Sequence, residues 1–122
     1  MAIDFDHLRR FTGDDDALLA EVFGLFSEQT SMWLRALDPE TDDDSWISVT
    51  HALKGSARTL GAEALGELCA HAEGMVRQAN RPGRRDSIVE RIEIAVASVT
   101  DEIARWDYMR QRRAMKAGKI AG

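Results

Sequence analysis

Residues 51–57, with the sequence HALKGSA, place a histidine, a lysine and a glycine where they could do chemistry together. At about 100° per residue, His51, Lys54 and Gly55 share the helix face that is turned away from the apolar stripe. A neutral imidazole is a nucleophile near pH 7, and Lys54 offers a mobile positive charge to a phosphoryl group carried on the ring. Gly55 costs a helix interior about 1 kcal/mol relative to alanine, but it leaves space for a second macromolecule to reach the ring. A lone histidine on a helix is usually an ordinary surface or core residue, but Lys54 and Gly55 beside it favour a histidine that carries a phosphoryl group and meets a docking partner.

Two further residues share this face and extend it as a contact surface. Ile47 is apolar and lies one turn before His51, and Arg58 lies two turns after it. Because an exposed apolar side chain near a reactive group is typical of a docking patch, we expect Ile47, Gly55 and Arg58 to contact the partner.

A turn at Gly61 predicts a partner for the histidine on the following helix. His51 lies 10 residues before Gly61 and Glu73 lies 12 residues after it, so an antiparallel hairpin brings both to roughly 15 to 18 Å from the turn. A carboxylate at that height could accept a hydrogen bond from Nδ1 and leave Nε2 free to react. Geometry alone leaves open that Glu73 is an ordinary solvated charge. Arg77, one turn further on, is a second candidate contact for a phosphate.

The elements that must position these residues are helices, because apolar residues recur at three-and-four spacing and no useful strand pattern is present. The prediction is a leader over 4–11 with Asp4 as its N-cap, followed by four long helices. These run from about Asp15 to Leu37, from an N-cap at Asp43 or Asp44 to Leu60, from Ala62 to about Ala79 and from about Arg84 to Arg113. Gly61 should end the second long helix in a left-handed cap. Short connections make neighbouring helices antiparallel, so the expected fold is all-α, an antiparallel up-down four-helix bundle with a short N-terminal leader helix.

Length and composition limit the remaining possibilities. The 122 residues predict one domain, 1–122, with a core over about 4–113 and a flexible tail over about 114–122. The net charge of −5 argues against nucleic-acid binding, and no apolar run approaches the roughly 20 residues that span a bilayer. A single cysteine, Cys69, excludes an internal disulfide and favours a reducing, cytoplasmic location.

The stretch HALKGSARTLGAEALGELCAHAE, residues 51–73, resembles the histidine-containing phosphotransfer (HPt) domain of bacterial two-component phosphorelays. That signature is His-x-Leu-Lys-Gly-Ser, then a Leu-Gly pair and a helix ending in an acidic or amide residue. The match is ungapped over 51–73 and extends more weakly over about 5–77.

The resemblance implies that His51 accepts a phosphoryl group from a phospho-aspartyl receiver domain, or from a histidine kinase, and passes it to another receiver. It assigns the lysine role to Lys54, the small-residue role to Gly55 and the ring-orienting role to Glu73. It implies a phosphoryl carrier rather than an enzyme, with no cofactor of its own because the receiver brings Mg²⁺. The partners implied are receiver domains and a (hybrid) histidine kinase. The capped bundle is expected to be a monomer, although self-association through its long last helix stays open.

Three alternatives compete with this interpretation. An autophosphorylating kinase needs a nucleotide-binding domain, and the chain has neither a Gly-rich phosphate loop nor the length for one. A metal site is disfavoured because His7, His51 and His71 fall on different elements without ligand spacing. A helical adaptor that docks receivers without carrying phosphate stays open, although His51, Lys54 and Glu73 together argue against it.

Overall fold

The computed structural model describes residues 1–76 and 83–121, and within them all regular structure is helical. The helices are α1 (Phe5–Thr12), α2 (Asp16–Ala36), α3 (Asp43–Leu60), α4 (Glu63–Glu73) and α5 (Arg84–Ala121). The predicted bundle of four long helices with a leader is confirmed. None of the helices in the described ranges is both long and apolar enough to cross a membrane.

Aspartates begin three of the helices, because a carboxylate accepts hydrogen bonds from backbone N–H groups that have no partner in the first turn. Asp4, Asp15 and Asp42 accept from the residue three positions later, at 3.1, 3.0 and 2.8 Å respectively. The predicted N-cap of the second long helix, Asp43 or Asp44, is wrong, since Asp42 has the extended backbone and makes the capping bond.

Gly61 ends α3 in the left-handed conformation that was predicted, with φ +77°. The Ala62 amide donates to the Ala57 carbonyl at 2.8 Å, which closes the turn and starts α4 at once. A Cβ atom here would lie 3.0 Å from the Asp4 carbonyl oxygen, so the N-terminal segment also requires glycine at this position. The Asp4 amide donates to the Gly61 carbonyl at 2.9 Å and fastens the leader to the hairpin.

Two predicted helix ends differ from the structure. The third long helix ends at Glu73, not near Ala79, because Gly74 is its C-cap and Met75 and Val76 are no longer helical. The last helix continues to Ala121, eight residues past the predicted end at Arg113. The position predicted for Ala79 lies outside the described residues.

The core is centred on α3, whose Trp46, Leu53 and Ala57 have no exposed surface. Apolar residues of α2, α4 and α5 surround them, and these include Leu19, Phe23, Leu65, Cys69, Ile92 and Val99. Ile3 is buried as well, one residue before the predicted start of the core at about residue 4. The core therefore fixes the rotation of α3 and leaves one of its faces, with His51, in solvent.

Candidate functional site

The α3–α4 hairpin positions the site, because two contacts set the height and spacing of its helices. The turn at Gly61 fixes one end. Near the other end, the buried Trp46 of α3 donates from Nε1 to the Ala72 carbonyl of α4 at 2.6 Å. Glu73, the next residue, is thereby held at the level of His51.

The contact predicted between His51 and Glu73 is present. His51 Nδ1 lies 3.3 Å from Glu73 Oε1, and the imidazole side chain is 67% exposed. An ionised carboxylate only accepts hydrogen bonds, so Nδ1 is the donor and the neutral ring has its lone pair on Nε2. The exposed ring therefore has a nucleophilic nitrogen that is not engaged by Glu73.

Lys54 completes the cluster by pairing with the same carboxylate. Its Nζ lies 2.6 Å from Glu73 Oε2, and the two side chains are 19% and 25% exposed. The Lys54 ammonium lowers the pKa of Glu73 below its ordinary value, and the contact with His51 lowers it further. Glu73 is thus ionised at neutral pH, as its role of acceptor for Nδ1–H requires.

Gly55 leaves the solvent side of this cluster open. A Cβ atom built on it would have no neighbour within 4 Å, so neither packing nor backbone conformation requires glycine here. This differs from Gly61, where both do. The surface beside His51 is therefore open at Gly55.

Comparisons with known proteins show the family to which the chain belongs. The model of the Hpt domain family matches residues 17–106, which is most of the chain. The chain belongs to the Hpt domain family. This Hpt protein is similar in structure to the histidine phosphotransferase ShpA from Caulobacter crescentus, at 30% sequence identity and a TM-score of 0.73. The match covers 94% of this chain and 99% of that chain. No match to a curated protein sequence is found.

Family membership confirms the class of function that the motif indicated. The protein is a histidine phosphotransfer protein of a phosphorelay, and it acts as a phosphoryl carrier, not as a kinase. Receivers and kinases of phosphorelays are therefore the class of partner of this Hpt protein.

The other predicted contact residues are distributed around the cluster. Ile47 is half-buried on the His51 face of the Hpt domain. Arg58 is exposed about 10 Å along α3 from His51, and its aliphatic portion lies against Gly66, away from the carboxylate. Arg77 lies outside the described residues. Among the predicted site residues that the structure describes, Glu73 contacts His51 directly, and Lys54 joins the cluster through the Glu73 carboxylate.

Sequence reasoning missed the contribution of α2 to this surface. Ser56 of α3 donates to Gln29 of α2 at 3.5 Å, and this places α2 beside the His51 face. Leu25 and Met32, one turn to either side of Gln29, are 55% and 47% exposed. The seven-residue spacing of Leu25 and Met32 could have indicated this second apolar face of α2. It was overlooked because the buried stripe with Phe23 and Phe26 is the stronger apolar pattern in the helix.

Potential metal ligands do not gather in the part of the chain that the structure describes. No group there of three or more His, Cys, Asp or Glu side chains could hold a metal ion. His7 packs its ring against Phe11 in α1, and His71 is exposed on α4.

Proposed function

We propose that His51 is the phosphoryl-accepting residue of this Hpt protein, with Glu73 orienting the ring and Lys54 stabilising the phosphate. The proposal rests on an exposed imidazole of which one ring nitrogen is paired with a carboxylate while the other is not. Glu73 engages Nδ1 and Lys54 supplies positive charge, whereas Nε2 is open to solvent.

The transfer step needs no proton donor, because the aspartate leaves as a carboxylate anion. The Nε2 lone pair attacks the phosphorus of an aspartyl phosphate on a receiver domain and forms a P–N bond. The P–O bond to the aspartate breaks, and its electron pair leaves with the carboxylate. The Nδ1 proton stays on the ring, which becomes positively charged, and the ionised Glu73 stabilises that charge. The reverse step hands the phosphoryl group to another receiver.

Lys54 changes partner during this step. Before transfer its ammonium is paired with Glu73, and this contact holds the carboxylate ionised. The phosphoryl group brings negative oxygens to the imidazole one helical turn away. Because the lysine side chain has a flexible four-carbon stem, its ammonium can follow them without movement of α3.

The docking surface lies on α3 and α2 around the ring. Gly55 supplies clearance, and Ile47, Leu25 and Met32 supply apolar area beside it. Arg58 and Arg77 are the outlying basic contacts. The partners are receiver domains and a (hybrid) histidine kinase in the cytoplasm, and the receiver supplies Mg²⁺, so the Hpt protein carries no cofactor.

The test is phosphotransfer from a phosphorylated cognate receiver to the wild-type protein and to two histidine variants. We expect an acid-labile, base-stable phosphate on the wild type and on His71→Gln, the matched control for an exposed helical histidine. His51→Gln should take up no phosphate while its helical circular dichroism is unchanged. Label on His51→Gln would show that the site is wrong. Receiver binding to the wild type without any labelling would favour the adaptor.

A further inference from the structure

The outward face of α5 has a seven-residue pattern that the bundle does not use. Residues at alternating three- and four-residue spacing on this face are all exposed, and we name them the outer seam: Ile94, Ala97, Asp101, Ala104, Tyr108, Gln111, Met115 and Gly118. Ile94, Tyr108 and Met115 are each at least 60% exposed. This spacing is typical of a helix that packs along another helix.

The outer seam lies opposite the stripe that α5 buries in the bundle. Ile92, Val96 and Val99 point into the core, about half a helical turn away from Ile94 and Asp101. The match to the Hpt family ends at residue 106, yet α5 continues to Ala121, and every described side chain from Gln111 onward is exposed. This extension therefore lacks the tertiary packing that normally stabilises a helix, and a single helix in water is only marginally stable.

We propose that the outer seam pairs with the same seam of a second copy of this chain, in antiparallel orientation. Successive seam residues alternate between two positions of the seven-residue repeat, and an antiparallel pair places each kind opposite the other. In this register Ile94 lies opposite Gly118 of the other copy. In the same register Met115 meets Ala97, Tyr108 meets Ala104, and Asp101 meets Gln111. Each large side chain is therefore opposite a small one, and the one acidic seam residue is opposite an amide that can donate to it.

Charge favours the antiparallel orientation over the parallel one. The first part of the seam is flanked by two exposed acids and one exposed base, Glu90, Glu93 and Arg91, whereas its last part is flanked by exposed bases, Arg112, Arg113 and Lys116. An antiparallel pair brings the acidic end of one helix to the basic end of the other. A parallel pair would bring the two basic ends together, which is unfavourable. The twofold arrangement is closed, so the assembly stops at a dimer.

The dimer leaves the phosphotransfer site accessible. α5 packs mainly on α2 and α4, whereas His51 is on α3, on the side where α3 meets α4. Both copies can therefore dock a receiver at once. The protein would then be a dimer with two phosphotransfer sites, and not the monomer expected from the bundle alone. The dimer proposal does not depend on which residue accepts the phosphate.

Disulfide trapping tests the register directly. Cys69 is buried and its pKa is raised to about 12 by burial, so introduced cysteines are the reactive thiols. We expect Ala97→Cys mixed with Met115→Cys to form a cross-linked dimer on mild oxidation. Either variant alone should stay uncross-linked, because like positions are about 27 Å apart along the antiparallel pair. Cross-linking of each variant with itself would overturn the antiparallel register, and no cross-linking in the mixture would overturn the dimer.

Sedimentation over a concentration series gives a second, independent measurement. The wild type should show a monomer–dimer equilibrium in the micromolar range. Ala97→Arg puts bulk and positive charge opposite Met115 and Lys116, and should weaken the dimer by about tenfold or more. Ala17→Arg, at another exposed alanine on α2, is the matched control and should leave the dimer unchanged. A wild type that is monomeric throughout, or equal weakening by both variants, would refute the proposal. Phosphate uptake by Ala97→Arg should equal that of the wild type.

Discussion

Two clusters of charged side chains tie α3 to other helices, and they differ in how far they are withdrawn from water. In the first, Arg85 of α5 is 6% exposed and pairs with Asp43 at 2.6 Å. Its guanidinium also donates to the carbonyls of Met75 and Thr41 and lies over the Trp46 ring at 4.5 Å. In the second, Lys54 and Glu73 are partly exposed and His51 is mostly exposed.

The difference shows what separates a structural cluster from a reactive one. The Arg85 guanidinium makes four hydrogen bonds to protein acceptors and is itself buried, so it stabilises this end of the bundle and is not presented to a partner. The His51 cluster is satisfied on one side only, with Nδ1 engaged and Nε2 open. The Arg85 cluster therefore stabilises the fold at one end of α3, whereas the cluster in the middle of α3 is the one proposed to take part in phosphoryl transfer.

The largest effect should come from Arg85→Met, which keeps much of the aliphatic volume and removes the guanidinium. Carbonyl groups of Met75 and Thr41 lose their donor and Asp43 loses its ion pair, so the free energy of unfolding should fall by about 3 kcal/mol. Urea unfolding measures this change. Arg91→Met, at an exposed position of α5, is the control and should stay within about 0.5 kcal/mol of wild type. Equal stabilities for the two variants would contradict a structural role for the Arg85 cluster.

Glu73→Ala should act on rate rather than on folding. The imidazole loses the acceptor that fixes its tautomer and orientation, so phosphotransfer should slow by roughly ten- to a hundredfold. Rapid-quench measurement of labelled receiver gives the rate, and thermal unfolding checks that the bundle is intact. A wild-type rate in a folded Glu73→Ala protein would show that Glu73 does not orient the His51 ring for transfer. His71→Ala, an exposed residue of the same helix, should transfer at the wild-type rate.

Substitutions at Gly55 distinguish an effect on the stability of the fold from an effect on access of the docking partner to His51. Gly55→Ala should raise the free energy of unfolding by about 1 kcal/mol, because the added methyl group has open space and the helix loses a flexible residue. Gly55→Leu should also fold, but its side chain extends toward the docking partner and should slow transfer. If Gly55→Leu transfers as fast as Gly55→Ala, steric clearance is not the reason for glycine at this position.

The smallest effect concerns the pH dependence of the exposed cluster. Lys54 holds the pKa of Glu73 below its ordinary value of 4.5. A depressed carboxyl pKa adds stability that is present above the unfolded pKa and is lost as the pH falls through the folded one. Lys54→Met should therefore raise the Glu73 pKa toward 4.5, as measured by NMR titration of its side-chain carboxyl. An unchanged pKa in this variant would mean that Lys54 is not the main cause of the shift.

The sequence was sufficient for the hairpin that builds the site. The glycine at 61 specified a left-handed turn, and counting residues from it placed Glu73 beside His51, since helical rise is nearly constant. The ion pair between Lys54 and Glu73 was not predicted. A lysine side chain reaches in several directions from its helix, and the choice depends on where the facing carboxylate lies.

Other features depended on tertiary contacts that a periodic pattern does not contain. Three successive aspartates, 42–44, are equally suited to capping, and the backbone of the preceding turn selects Asp42. Burial of Arg85 was missed because neighbouring arginines look alike in sequence, and only packing against Trp46 distinguishes this one. The end of α4 at Glu73 was missed because the following glycine was interpreted as a residue inside the helix.

The most direct test of the central claim is the position of the phosphate on the imidazole ring. Long-range proton–nitrogen NMR spectra of the phosphorylated, nitrogen-labelled protein distinguish the two ring nitrogens of each histidine. Engagement of Nδ1 by Glu73 predicts a single phosphohistidine, His51, with the phosphorus on Nε2 and the proton kept on Nδ1. Phosphorus on Nδ1 of His51, or on His7 or His71, would contradict it.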